Sequence, residues 1–178
     1  MGALANQPFV KMNGIGNEIV VVDLRKGAPA IAPEEARAAA SPQGAPYDQL
    51  MALYPPRTPG TDAYIRIYNN DGSEAGACGN GMRCVASIVS GENGKSALTF
   101  ETKAGILNCW KAEGGLFTVD MGPPRFKRTE RKVHVTLPGG ELTIEWRASD
   151  DHVLMTGPVA FEFNGTFNPM LFEKAPAP

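Results

Sequence analysis

Residues 79–90, "GNGMRCVASIVS", are the one long stretch in which apolar side chains recur at helical spacing, with Met82, Val85, Ile88 and Val89 sharing a face. After Ser96 polar and apolar positions alternate instead: "ALTFETKAG", "ILNCWKA", "LFTVDM" and "KVHVTLPGGELTIEW", the last with Pro138-Gly139-Gly140 as a hairpin turn. A single striped helix ahead of an all-β remainder must bury its stripe against a sheet. The segments before it supply more strands. Residues 8–12 and 18–24 ("EIVVVDL") read as strands joined by "NGIGN", whose two glycines allow backbone conformations closed to other residues. "YDQLMAL" and "DAYIRIYN" read as strands on either side of "YPPRTPGT", with Ala63, Ile65 and Ile67 alternating against Tyr64, Arg66 and Tyr68. Only "PEEARAAA" (33–40) adds a second helix, short and Ala-rich, which suits the surface.

Charge and cysteine usage narrow the function. A net charge of −2, with Lys and Arg scattered among Asp and Glu, provides no basic stripe for nucleic acid or an anionic membrane. The opening "MGALANQPFVKM" has no basic segment followed by an apolar stretch, and no later run is long enough to span a bilayer. Three cysteines at spacings of six and twenty-five do not form a disulfide framework and fit a reducing compartment, so a cytoplasmic chain is expected. The two histidines, His134 and His152, fall in a hairpin and a loop and do not make a metal site.

The β segments repeat. A shift of 35 residues lays "TKAGILNC" over "LPGGELTI" and "MGPPRF" (121–126) over "TGPVAF" (156–161). The β-rich ends of two related units are therefore present, but only the first unit has a cysteine-bearing helix, since the position 35 residues after Cys78 is Glu113.

Cys78 lies where "NNDGSEAGACGNGMRCVA" (69–86) passes from turn to helix. A helix start offers unpaired N–H groups and the positive end of the dipole, which favour a thiolate and can bind a carboxylate; Gly79 and Gly81 let the chain turn there. That makes Cys78 a candidate acid, base or nucleophile. The same pattern also fits a small buried cysteine beside a glycine turn. Cys84 and Cys109 read as core thiols. Asp71-Gly72-Ser73 reads as a turn closed by local hydrogen bonds, and Glu74 as a helix-start carboxylate. Asn17, Gln49 and Asn69 are neutral donor–acceptors at strand ends, suited to orienting amino and carboxylate groups.

Together, "FVKMNGIGNEIVVVD", "YDQLMALYPPRTPGTDAYIRIYNNDGSEAGACGNGMRCVA" and "RKVHVTLPGGELTIEWRASDDHVLMTGPVAFEFNG" resemble the diaminopimelate epimerase family over nearly the whole chain. The resemblance implies an α/β (α+β) fold in which a mixed, mostly antiparallel sheet surrounds a central helix. It also implies an isomerase that inverts an α-carbon of diaminopimelate, interconverting the LL and meso forms for lysine and peptidoglycan, without pyridoxal phosphate or metal. Inversion needs one group to take a proton from one face and another to deliver one to the opposite face. By this resemblance Cys78 is one acid/base, Gly79 and Asn80 offer backbone N–H groups to the α-carboxylate, and Asn17, Gln49 and Asn69 help bind substrate.

The chain departs from the family between "MGPPRF" and "RTERKV", where most of a second domain and its opposing cysteine have no counterpart. The expected organisation is a first domain at 1–126, carrying the cysteine helix, the strands of a truncated second unit at 127–165, and a tail at 166–178 with a frayed end, "FEKAPAP". Strands that lack a covering helix predict exposed apolar surface at Val133, Val135, Leu142 and Ile144, and hence a homodimer or aggregation, unless they join the first sheet. Two other functions fit the same residues: a non-catalytic amino-acid-binding or interaction protein, and another cofactor-independent racemase.

Overall fold

The computed structural model describes residues 2–123 and 131–173. β1 (Pro8–Gly14) and β2 (Asn17–Asp23) form a hairpin turned by Ile15 and Gly16, at φ 59° and 82°. The left-handed residues are thus Ile15 and Gly16, not the two glycines of the loop. Gly14 is required for space, since a Cβ there would lie 3.0 Å from the Asn80 Cβ. α1 (Pro33–Ala39) starts on Pro33, and Glu35 accepts hydrogen bonds from the Ala32 and Leu4 amides, both at 3.2 Å. β3 (Gln49–Tyr54), β4 (Ala63–Asn69) and the two-residue β5 (Glu74–Ala75) precede α2 (Gly79–Asn93), which ends at Gly94 with φ 72°. β6 (Ala97–Thr102), β7 (Gly105–Lys111), β8 (Phe117–Asp120), β9 (Lys132–Leu137), β10 (Gly140–Trp146), β11 (Val153–Gly157) and β12 (Ala160–Thr166) follow.

All of these strands belong to one sheet, in the order β12-β1-β2-β3-β4-β6-β7-β8-β11-β10-β9, with β5 paired to β4. Only β2/β3 and β4/β6 run parallel, across the crossovers that contain α1 and α2. Around β2 and β3 the sheet buries both faces. Ile19, Val21, Met51, Leu53, Ala63, Ile65 and Ile67 pack on Met82, Val85 and Val89 of α2, while Val20, Val22, Leu50 and Ala52 pack on Ala36 and Ala39 of α1. The continuous "IVVV" of β2 reflects this two-sided burial.

The 35-residue repeat is physical. Thr102 pairs with Gly105 across a two-residue turn, and Leu137 pairs with Gly140 across another, each 35 positions on. β6-β7-β8 and β9-β10-β11 are therefore equivalent three-stranded meanders, and β8 pairs antiparallel with β11 so that the two meet edge to edge. The expected boundary at 126/127 lies in the undescribed stretch 124–130, and the strands on either side of it belong to the same sheet.

This pairing removes the predicted exposed apolar surface. Leu142 is buried at 5 % exposure, and Val133, Val135 and Ile144 are half-buried. Among the described residues the exposed large apolar side chains are Leu137 at the end of β9, Ile106 on β7, Phe161 and Phe163 of the edge strand β12, and Met170. The sheet curls until the β9–β10 turn meets the β1–β2 turn: a Cβ on Gly139 would collide with the backbone of Ile15 and Gly16. Ile15 fills the seam, so close to Gly157 that a Cβ on Gly157 would lie 2.7 Å from its Cδ1. The expected frayed end, "FEKAPAP", lies mostly outside the described residues, but what precedes it is packed. Phe167 stacks on Phe9 at 4.5 Å between centroids and Phe172 packs edge-on to Phe167, while residues 174–178 lie outside the described residues.

Candidate active site

Four segments converge on the start of α2. Cys78 is its N-cap, in extended conformation, and Sγ accepts a hydrogen bond from the Gly81 amide at 3.2 Å. The Sγ lies 3.7 Å from Gln49 Oε1 and 3.9 Å from Asn17 Oδ1, so the thiol can donate its hydrogen to either amide carbonyl. Gln49 Nε2 donates to Asn69 Oδ1 at 3.4 Å, and Asn69 Nδ2 donates to Ser73 Oγ at 3.0 Å. Asn80 Nδ2 donates to Asn17 Oδ1 at 3.5 Å. The side chains picked out from sequence, Asn17, Gln49, Asn69 and Cys78, therefore form one connected polar group, which the Asn80 side chain joins through Asn17; Gly79 and Asn80, named for their backbone amides, follow Cys78 directly.

Sheet register brings them together. Asn17 begins β2, Gln49 begins β3 and Asn69 ends β4; Ile19 pairs with Gln49, and Gln49 with Asn69, so all three stand at the same end of adjacent strands. The crossover from β4 then returns α2 with its amino terminus at that end. This is the edge-of-sheet position at which α/β architectures offer helix N–H groups to anionic ligands.

The glycines have a different purpose from the one read in sequence. Neither Gly79 nor Gly81 is among the residues at positive φ. Gly81 has no Cβ because Met51 of β3 packs against it, and a Cβ on Gly79 would lie 2.8 Å from Met155 Sδ. Glu74 is likewise not at the helix start: it lies in β5 and chelates Arg66, at 3.0 and 3.1 Å. Asp71 closes its turn as expected, accepting from the Ser73 amide at 2.8 Å.

Electrostatics also differ from expectation. Burial pushes the Cys78 thiol above its ordinary value, outweighing the Gly81 amide and the Arg83 charge, which pull it down. The helix start alone does not make it a thiolate, because the methionines and strands around it take away water. Cys84 and Cys109, at 0 % and 1 % exposure, are pushed by burial to about 12 and are core thiols as read from sequence.

Three residues of the site were not picked out from sequence. Asp48 Oδ2 accepts from Asn17 Nδ2 at 2.9 Å and from the Glu18 amide at 2.8 Å, fixing the Asn17 rotamer. Lys11, buried, holds the preceding turn by bonding Glu18 and the Pro46 carbonyl. Arg83 Nη2 donates to Asn80 Oδ1 at 2.8 Å. Asp48 adjoins Gln49 in "YDQ", which was the available signal; Arg83 sits in the apolar stretch of α2 and gave none.

Among the described residues, Asp120, Asp150 and His152 have ligand atoms within 4.8 Å of one another. Arg147 Nη2 already bonds both carboxylates, at 2.7 and 2.6 Å, and His152 Nδ1 meets Asp120 at 2.7 Å, so these side chains already hold one another in an ion-pair cluster.

The family model for diaminopimelate epimerase matches residues 9–127, and the chain is 42 % identical to the diaminopimelate epimerase of Nitrobacter hamburgensis, covering 97 % of this chain and 99 % of that one. The chain belongs to the diaminopimelate epimerase family. A diaminopimelate epimerase of Rhodopseudomonas palustris is 40 % identical, with 98 % and 99 % covered. A Clostridium difficile protein described as a phenazine biosynthesis PhzC/PhzF protein shares the fold, with a TM-score of 0.68 at 12 % identity, over 91 % of this chain and 99 % of that one. The family is one of isomerases, and its diaminopimelate epimerases are longer than this member. The 286 aligned positions with the Nitrobacter protein exceed the chain's 178 residues by 108, so at least that many positions of the alignment have no residue here. The family match ends at residue 127, next to the junction at which the sequence loses its resemblance.

Proposed function

We propose that this diaminopimelate epimerase homologue binds diaminopimelate at the start of α2 and that Cys78 moves the α-proton on one face of the substrate only. The observation that carries the reading is the convergence of Asn17, Gln49, Asn69 and Asn80 on a single half-buried thiol at a helix amino terminus. The α-carboxylate would lie on the Gly79 and Asn80 amides, with the amide side chains holding the amino and distal groups. A proton on the α-carbon is weakly acidic, and its removal leaves negative charge that spreads into the carboxylate. Helix N–H groups fixed in advance stabilise that charge without reorganising.

Cys78 rests as the protonated thiol, since two amide carbonyls lie within its reach as acceptors and burial favours the neutral form. As the thiolate it would take the α-proton, exchange that proton with solvent, and return one to the same face of the carbanion. Inversion needs a second group on the opposite face. Cys84 and Cys109 cannot serve, being enclosed in the core. The first unit is residues 1–126, the strands at 127–165 are the remnant of the second, and the chemistry of the opposite face was lost with the missing segment. The reading belongs to lysine and peptidoglycan precursor supply in the cytoplasm and invokes no cofactor.

Titration calorimetry tests the binding half. LL- and meso-diaminopimelate should bind, Gln49→Ala and Asn69→Ala should each weaken binding roughly tenfold for a lost hydrogen bond to a charged group, and lysine, which lacks the distal carboxylate, should bind less tightly. Absence of heat with all three amino acids would refute it. A second reading, a binding protein without chemistry, is favoured by the packing of Met155 and Met121 over Gly79. It predicts binding with no loss of α-hydrogen to solvent.

A further inference from the structure

We propose that Arg83 is a positioning residue for Cys78: buried under the start of α2, it holds Asn80 against Asn17 and supplies the positive charge that faces the thiolate when the proton has left. The inference rests on the reading of Cys78 as the proton-transfer group and adds a residue to it.

Arg83 is 0 % exposed, which is rare for a guanidinium. Its side chain runs back toward the helix start, as side chains on helices do, and its Nη2 meets Asn80 Oδ1 at 2.8 Å. Asn80 then uses its Nδ2 on Asn17, whose Oδ1 is 3.9 Å from Cys78 Sγ. Arg83 therefore fixes which end of the Asn80 amide faces the site. Among the described residues Nε and Nη1 have no hydrogen-bond partner, and no carboxylate pairs with the group. The walls are apolar: Ile15, Leu142 and the backbone at Gly157, where a Cβ would lie 3.5 Å from Arg83 Cζ.

A cation in such a place costs stability, because no carboxylate there makes up for the water it gives up. Its retention calls for an anion that exists for part of the time. Three thiols stand near enough to act on the Arg83 charge: Cys84 and Cys78 on α2, and Cys109 from β7. Of these only Cys78 touches the polar cluster. Facing Cys78 from elsewhere is Asp48, ahead of β3, whose charge acts in the opposite sense. Asp120 on β8 faces Cys109 and is tied to Arg147 and His152, Lys11 on β1 is paired with Glu18, and β11 carries no ionisable side chain. Arg83 and Asp48 thus bracket the sulfur with opposite charges, each holding one of its asparagines.

The test is the rate of iodoacetamide alkylation at Cys78 as a function of pH, followed by peptide mass spectrometry on variants whose circular dichroism matches the parent. Arg83→Met should move the profile to higher pH and slow alkylation at pH 8 roughly three- to tenfold. Arg83→Lys, which keeps charge but not the fork, should recover most of the rate, and Asp48→Asn should move the profile the other way. A folded Arg83→Met with the parent profile overturns the proposal. If that variant does not fold, the parent protein decides. The Arg83 Nε–H resonance should titrate with the Cys78 midpoint and lose that titration once Cys78 is alkylated; a resonance indifferent to Cys78 overturns the proposal. Alkylation profiles need no substrate, so failure of diaminopimelate to bind would remove the proposed function while leaving this result standing.

Discussion

Gly139→Ala is the sharpest test of how the sheet closes. The β9–β10 turn rests on the β1–β2 turn so closely that a Cβ on Gly139 would overlap backbone atoms of Ile15 and Gly16, which have no rotamer to escape into. Gly139 is not among the glycines at positive φ, so the substitution carries no conformational penalty of its own. Its unfolded-state effect would stabilise by about 0.4–1 kcal/mol. Against this stands the seam. If the turn lifts, Ile15 and Leu142, now 6 % and 5 % exposed, return to water, and each such side chain is worth about 1.5–3 kcal/mol when fully exposed. Partial lifting leaves a net loss of about 1–3 kcal/mol, the usual range for overpacking. At about 2–4 °C per kcal/mol for a chain of this size, the melting temperature should fall by several degrees. Because Met155 of the same meander packs over Gly79, Cys78 alkylation should also quicken. Gly91→Ala is the matched control: nothing lies within 4 Å of its Cβ position in the exposed part of α2, so helix propensity alone should stabilise by about 0.5–1 kcal/mol. Unchanged melting and unchanged alkylation in Gly139→Ala would refute the closed seam.

Native thiol titration with a disulfide reagent at pH 8 should count one reactive cysteine of three, with Cys84 and Cys109 appearing only after denaturation. Those two buried thiols also set an alkaline limit. Their folded values, about 12, lie above the ordinary 9.0, so their contribution is complete below pH 9 and is lost as pH rises from there to about 12. Buried Tyr47 and Tyr68, also raised by burial, act in the same sense, and Cys109→Ala should make the decline of stability in urea titrations shallower. Asp48→Ala should leave the fold intact and weaken diaminopimelate binding about tenfold in calorimetry, since it frees Asn17 from a charge-assisted hydrogen bond.

Local chemistry was legible where a rule is one-sided. Pro33 with Glu34 and Glu35, the stripe on α2, the alternation in β4 and the 35-residue repeat each became the expected element, and Asn17, Gln49 and Asn69, singled out one by one, stand at the same end of adjacent strands. What escaped was set by long-range packing. The left-handed Ile15 is tolerated because its side chain fills a seam that only the folded sheet creates, and no local rule places a β-branched residue there. Gly79 and Gly81 look like turn glycines, yet their absent Cβ atoms make room for Met155 and Met51, from strands far apart in sequence. The same packing dries the thiol, reversing the direction expected from a helix start. The stranded second meander found a partner because its repeat counterpart, β8, presented a matching edge.

The decisive measurement is proton NMR of LL- and meso-diaminopimelate incubated with the protein in deuterated water, with Cys78→Ala as the control. Deuterium should enter an α-position with the starting configuration retained, and Cys78→Ala should abolish the exchange. Rapid conversion of LL to meso, or exchange that persists without the Cys78 sulfur, would contradict a single working thiol.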